Sequence, residues 1–399
     1  MAPAVNRIAD NQARVFLRLL QTLRPHWQTD AALPARLQKL LAAERSFGAR
    51  DRRLYRELVF TTLRYLPWIE PWLDRDPAEA VRRAAWLAAD TKDTRAFRAA
   101  LATGQPLAGV SAELLPAWFR EHCPEIFSGP ELDAQLARAP LWLRLQTDDP
   151  EQVFSEFSAH GWTYSPSPIL PDALRVETDA DVSKTEAYLA GRFEIQDLGS
   201  QLLLAAAPVA PGEHWLDACA GAGGKTLQLA RLLGPDGRVD AHDIRPAALA
   251  ELEKRAVRAC HTNTQLANIR LAPRPSPDGY AGVLVDAPCS GSGTWRRAPH
   301  LKWCTTPADI AAHAKQQLNI LRHYAPSVRP GGLLVYATCS LSRIENDEVA
   351  AAFLSAETSF SPAPLRTRFD FPSATAHTLH ILPARHDTDG FFIATFRRT

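Results

Sequence analysis

Apolar residues recur at three- and four-residue spacing through the first third of the chain, in "NQARVFLRLLQTLRPHW", "ALPARLQKLLAAE" and "DRRLYRELVFTTLRYLPWIEPWL". That period predicts helices, each burying one stripe. Prolines and a polar break in "CPEIFSGPELDAQLARAP" place a boundary between residues 123 and 140. The next stretch, "LWLRLQTDDPEQVFSEFSAHGWTYSPSPILPDALRVET", alternates strand-like and helical pieces and predicts a small α+β segment. From about residue 200 the pattern becomes regular. The strand candidates are "HWLDAC", "RVDAHD", "TQLANI", "AGVLVDA" and "GLLVYAT", separated by helical stretches such as "TLQLARLL", "PAALAELEKRAVRAC" and "PADIAAHAKQQLNILRHYAPSV". Strands alternating with helices of this length imply an α/β fold with a parallel, doubly wound sheet. Such sheets bind ligands beyond the carboxyl ends of their strands.

Length refines this picture: 399 residues exceed what one hydrophobic core normally spans. Three domains are expected, a helical one over residues 1–135, a small α+β subdomain over 136–205 and an α/β domain over 206–399. The 46% hydrophobic and 22% charged residues are those of an ordinary globular protein. No run of 18 apolar residues occurs, and "MAPAVNRIADNQAR" lacks an apolar segment with basic flanks, so neither a membrane span nor a signal peptide is expected. The expected location is the cytoplasm. Six scattered cysteines without a CxxC pair predict free thiols and no metal site.

A net charge of +1 gives no global reason to expect nucleic acid. Arg, however, supplies 38 of the 45 basic residues, and Arg suits bidentate phosphate contacts. A high-GC genome produces the same bias. Between Ala43 and Tyr65 lie Arg45, Arg50, Arg52, Arg53, Arg56 and Arg64 against Glu44, Asp51 and Glu57. Such a helix face either holds an RNA backbone or is merely solvated.

The candidate chemistry sits at strand ends. "LDACAGAGGKT" runs from a strand through Cys219, Ala220, Gly221, Ala222, Gly223, Gly224 and Lys225 into a helix, a turn that lets backbone approach a ligand and offers free amides. It is neither a P-loop, which needs Gly at position 219, nor GxGxxG. "RVDAHD" ends on Asp243, about 20 residues on, where a ribose diol is usually held. A helix N-cap is the competing role for it. "DAPCSGSGT" places Asp286 and Cys289 in a loop, and "ATCSL" places Cys339 just past the fifth strand. One such cysteine is ordinarily a small buried hydrophobe. Two at neighbouring strand ends, beside an Asp and opposite a glycine-rich turn, point to chemistry.

The set "LDACAGAGGKT", "DAPCSGSGT", "HLKWCTTPADIAAHAKQQLNIL", "RPGGLLVYATCSL" and "DGFFIATF" resembles the RsmB/NOL1/NOP2/Sun family of S-adenosylmethionine-dependent RNA 5-methylcytosine methyltransferases. "GRFEIQDLGSQL" is similar to the segment before that family's first core strand, so the likeness runs from about residue 140 to 399. More loosely, "GARDRRLYRELVFTTLRY" and "LPAWFREH" resemble the NusB-like RNA-binding domain fused to bacterial small-subunit rRNA members. The resemblance implies a Rossmann-like class I methyltransferase domain that binds S-adenosylmethionine. It assigns the Cys219–Lys225 turn to the methionine part of the cofactor, Asp243 to the ribose and Asp286 to the junction with substrate. Asn268 stands where the family usually has an adenine-contacting Asp, and the turn reads CAGAGGK where the family has CAAPGGK.

The implied substrate sets the mechanism. Cytosine C5 is a poor nucleophile, so a thiolate must first add at C6 and push electron density onto C5. Afterwards a base must remove the C5 proton so that the thiol can leave. Residue chemistry alone leaves open which cysteine does which; the resemblance assigns attack to Cys339 and release to Cys289, with Asp286 meeting the ring and Lys225 beside it. Lys302 and Trp303 either contact RNA or pack in the core. Cys123, Cys219, Cys260 and Cys304 are expected to be structural. The implied partner is 16S rRNA, acted on by a monomer. The alternatives are tRNA or another RNA as substrate, or an inactive RNA-binding assembly factor. DNA is not expected, because the PCQ context of DNA cytosine methyltransferases is absent.

Overall fold

The computed structural model describes residues 2–104, 107, 109–178, 180–259, 269–271, 278–371 and 375–399, with side chains from residue 7 onward. Asn268 and Cys260 lie outside the described residues. The chain divides into two units, one of residues 1–138 with Thr294–Pro307 and one of Ala139–Gly293 with Ala308–Thr399.

The first unit is helical. Helix Ala2–Leu23 buries Phe16, Leu19, Leu20 and Leu23, Leu33–Ala43 buries Leu33, Leu37 and Leu41, and Ala49–Arg64 buries Leu54, Tyr55, Leu58 and Val59. These are the positions of one helical stripe. Helix Pro77–Leu87 starts on Asp76, whose side chain accepts from the amides of Ala78 and Glu79, and Pro77 follows the cap where a missing N–H costs nothing.

The separate segment Thr294–Pro307 completes this unit, although the sequence reading kept residues 206–399 together. Trp295 is buried 4.5 Å from the Phe119 ring centroid. Lys302, 1% exposed, donates to the carbonyls of Arg64 at 3.0 Å and Leu114 at 2.9 Å, and Trp303 Nε1 donates to Leu63 O at 2.6 Å. Lys302 is therefore a packing element, while the half-buried Trp303 is tied to the same unit by its indole hydrogen bond. The Arg-rich face is also thinner than its sequence suggests: Arg64 is buried and donates to Arg296 O, and Arg53 pairs with Asp93 at 2.6 Å.

The second unit carries two sheets. The small antiparallel one has the order β2-β3-β1-β4, with β1 Leu141–Leu145, β2 Thr163–Pro166, β3 Ala173–Glu177 and β4 Phe193–Ile195. The large sheet contains β5 His214–Asp217, β6 Arg238–Ala241, β7 Ile269–Arg270, β8 Tyr280–Asp286, β9 Val328–Thr338, β10 Phe360–Pro362, β11 Thr378–Ile381 and β12 Phe391–Arg398. Its order is β10-β12-β9-β8-β5-β6-β7, with β11 on β12. Strands β5 to β9 pair in parallel, and β12 runs antiparallel to β9. The parallel part is the Rossmann-like α/β arrangement, whose strand order reverses between β5 and β8.

Alternate residues of these strands enter opposite cores. Trp215, Leu284, Val335 and Ile393 join one cluster, with Leu227 and Leu252 from helices Gly224–Leu233 and Pro246–Ala259. Leu216, Val283, Leu334 and Phe392 join the other, with Leu321 and Phe353 from helices Pro307–Tyr324 and Asp347–Ala356. Both faces are covered, as parallel strands require.

Candidate active site at the carboxyl edge of the sheet

The turn after β5 is shaped by its glycines. Gly223 has φ +89°, and a Cβ there would lie 2.0 Å from Leu252 Cδ1. Any other residue would meet both backbone strain and a clash. Its amide donates to Ala220 O at 2.9 Å, and helix Gly224–Leu233 begins on it. Thr226 Oγ1 donates to the buried Asp217 carboxylate at 2.7 Å, tying the strand end to the helix; burial pushes that carboxyl up to about 7.

Where the family has proline, the carbonyl of Ala222 accepts from Arg255 Nη1 at 2.8 Å. Arg255 in turn grips the buried Glu194 through Nε at 3.1 Å and Nη2 at 2.7 Å, and Arg258 binds the other oxygen of the same carboxylate. The turn is thus braced from outside by a buried ion pair rather than by a ring within it.

This turn opens on a cavity of about 920 Å³, lined among others by Cys219, Ala220, Gly221, Ala222, Gly224, Lys225, Asp243 and Asp286. The residues assigned to cofactor binding by sequence are brought together there, with two exceptions. Gly223 faces Leu252 and serves the backbone conformation, and Asn268 lies outside the described residues. Arg245, Arg255, His242 and Tyr324 also line the cavity, and sequence reasoning missed them. Tyr324 Oη lies 2.9 Å from His242 Nδ1, a pairing across the sheet edge that no local pattern announces.

Asp243 follows β6 and is nearly buried. Its Oδ1 accepts from the Arg245 amide at 2.8 Å and Nε at 2.9 Å, and its Oδ2 accepts from the Gly221 amide at 2.9 Å and Arg245 Nη2 at 2.9 Å. The Arg245 guanidinium and these amides hold the carboxyl down at about 2. It is therefore both a loop cap and a cavity carboxylate. Four donors saturate it, so a diol can reach it only by displacing the Arg245 guanidinium, and that side chain is 67% exposed.

Lys225 and Asp286 meet at 2.8 Å, Nζ to Oδ2. Burial alone would lower the Lys225 pKa, but the charge and hydrogen bond of Asp286 outweigh it and the net shift is upward, so an ammonium faces the loop after β8. Beyond it, Cys289 Sγ lies 3.3 Å from Cys339 Sγ. The hydrogen bond to Cys339, burial and the charge of Glu345 push the Cys289 thiol well above its ordinary value. Cys289 therefore retains its proton in the pair. Cys219 is pushed up to about 12, chiefly by burial, and is inert as a thiolate source. No group of His, Cys, Asp and Glu suited to a metal ion occurs among the described residues, and no helix among them is long and apolar enough to cross a membrane.

Comparison with known proteins fits this geometry. Residues 203–397 match the family model described as 16S rRNA methyltransferase RsmB/F. The probable ribosomal RNA small subunit methyltransferase B of Bacillus subtilis (strain 168) is 34% identical over 261 residues, covering 63% of this chain and 57% of its own. The ribosomal RNA small subunit methyltransferase B of Xanthomonas campestris pv. campestris is 31% identical over 293 residues, covering 70% of this chain and 65% of its own. The chain therefore spans 57% to 65% of the length of these curated relatives. NSun6 from Pyrococcus horikoshii, solved with SFG, shares the fold with a TM-score of 0.62 at 18% identity, covering 73% of this chain and 98% of its own. Residues 203–397, with their glycine-rich turn and paired cysteines, are thus similar to the RsmB/F family of 16S rRNA methyltransferases.

Proposed function

We propose that this protein transfers a methyl group from S-adenosylmethionine to C5 of a cytosine in 16S rRNA, through a covalent bond between Cys339 and the base. The observation that carries this reading is the Cys289–Cys339 pair at 3.3 Å, on the loops next to the Lys225–Asp286 ion pair. The match to the family model and the names of the curated relatives support the RNA address.

The cavity suits the cofactor: it joins a glycine-rich turn at a helix N-terminus to a carboxylate after the next strand. The Cys219–Lys225 turn and Asp243 would hold it, with Asn268 assigned to the adenine by resemblance alone. When bound, it supplies an electrophilic methyl group. The chain's own residues do the rest. Cys339 adds through sulfur to C6, and the C5–C6 double-bond electrons move onto C5 and the ring carbonyl. Asp286 meets N3 and the exocyclic amine as that charge develops, while Lys225 fixes Asp286.

The raised Cys289 thiol supports this division of labour, because the hydrogen bond to Cys339 and burial keep the proton on Cys289, which suits it to release rather than attack. Once the Cys339 sulfur is bonded to carbon, the largest of the interactions that kept the proton on Cys289, its hydrogen bond to Cys339, is lost. Cys289, its own proton given up to solvent, takes the C5 proton, and those C–H electrons re-form the double bond as the C6–Sγ bond breaks and its electron pair returns to Cys339. The helical first unit is read as a NusB-like RNA-docking domain that adds affinity through Arg45, Arg50, Arg52 and Arg56, all exposed. The reaction would take place in the cytoplasm.

Bisulfite sequencing of total RNA from a strain lacking the gene, beside its parent, tests the reading. One small-subunit cytosine should lose protection in the deletion strain; identical maps would overturn the assignment.

A further inference from the structure

The two cysteine loops are joined beneath their thiols by one carboxylate. Glu345, fully buried, lies in the loop after β9. Its Oε1 accepts from the Ser290 amide at 2.8 Å and from Gln317 Nε2 at 3.1 Å. Its Oε2 accepts from Ser290 Oγ at 2.5 Å and from Ser340 Oγ at 2.6 Å. Each oxygen thus takes two donors, the full capacity of an ionised carboxylate. A buried carboxylate without such donors would be costly, and with them it becomes a rigid node.

The placement of the donors is the informative part. Ser290 follows Cys289 and Ser340 follows Cys339, so the same carboxylate grips the residue next to each thiol. Further bonds run between the same loops: Ser292 Oγ accepts from the Leu341 amide at 2.9 Å, and the Gly293 amide donates to Cys339 O at 2.9 Å. Gln317 extends the node to the β8 loop by donating to Pro288 O at 2.9 Å, and it accepts from Tyr336 Oη at 3.0 Å. Glu345 is absent from the cofactor cavity.

We propose that Glu345 is the positioning residue for both thiols: by holding Ser290 and Ser340 together it fixes the separation of Cys289 and Cys339 on which attack and release depend. Glu345 touches neither thiol's reaction partner and does not itself move a proton. The consequence for methylation rests on the function proposed above, whereas the consequence for the thiols does not.

The test uses the full-length chain and the oxidant diamide, which takes up the two thiol hydrogens as the Cys289–Cys339 disulfide forms. Linkage is followed by peptide mapping, which separates this pair from the other cysteines. Wild type should link rapidly. Glu345→Ala should link about 10²-fold more slowly, the scale of a misplacement near 1 Å. Glu345→Gln, which keeps one accepting oxygen, should fall between them. If Glu345→Ala does not fold, Ser290→Ala and Ser340→Ala replace it, and each should slow linkage. With RNA, Glu345→Gln should lower kcat while leaving cofactor affinity unchanged. Wild-type linkage rates in folded Glu345→Ala, or in both serine variants, would overturn the proposal. Linkage needs neither RNA nor cofactor, so failure of the wild-type chain to methylate RNA would count against the proposed function and not against this one.

Discussion

The Asp243 carboxylate, placed in the cavity, is already engaged by Arg245 and the Gly221 amide. The carboxyl is held at about 2, against an ordinary value of 3.8. A lowered carboxyl pKa stabilises the fold above the unfolded value, and that contribution fades as pH falls from about 4 through 2. It amounts to about 2 kcal/mol. Urea unfolding of Asp243→Asn beside wild type should therefore differ by this amount at pH 7 and converge near pH 2; a difference independent of pH would refute the assignment. Calorimetry with S-adenosylmethionine separates the second role. Asp243→Ala should weaken binding by about 1 to 3 kcal/mol, the cost of losing charge-assisted hydrogen bonds. Arg245→Ala, which frees the carboxylate, should strengthen binding. Weaker binding in Arg245→Ala would mean that the guanidinium holds the ligand rather than competing with it.

At the scale of elements, the turn after β5 depends on backbone conformations that only glycine adopts cheaply. Gly223→Ala should destabilise by about 1 to 3 kcal/mol from the positive φ, and further because its Cβ meets Leu252. Gly161, which follows helix Glu151–Ala159 with φ +68° and open space around it, should show only the first cost when changed to Ala. Equal urea midpoints for the two variants would remove the packing part of the argument. The turn, β5, β6, β8 and β9, and both cysteines were legible in sequence because each is announced by residues close together. Long-range partners were not. Arg255 braces Ala222 through Glu194, 61 residues away, and Glu345 reaches Ser290 across 55 residues. Both carboxylates stand within quoted or neighbouring motifs, yet nothing local tells a buried clamp from an exposed acid. The hold of Arg245 on Asp243 was equally invisible, since an Asp after a strand reads the same whether its oxygens are open or occupied.

Across the whole molecule, the chain leaves the loop after β8 at Gly293 and contributes Thr294–Pro307 to the helical unit before returning. Trp295, Arg296, His300 and Lys302 are buried there. A chain truncated to residues 139–399 should therefore expose them, unfold at lower temperature and aggregate on size exclusion; a monomer with the full-length unfolding midpoint would show that the segment needs no partner. If the helical unit docks RNA, charge reversal at Arg52 and Arg56 should weaken binding and flatten its salt dependence; an unchanged slope would mean a merely solvated face. The central claim is the covalent route with separate roles for its two cysteines. Its most direct test incubates Cys339→Ala and Cys289→Ala with 16S rRNA and labelled S-adenosylmethionine, then resolves the products on a denaturing gel with and without reductant, since a thioether survives reduction. Cys339→Ala should give neither methylated RNA nor adduct, and Cys289→Ala should accumulate an adduct. An adduct from Cys339→Ala alone, or full activity in both variants, would contradict the account.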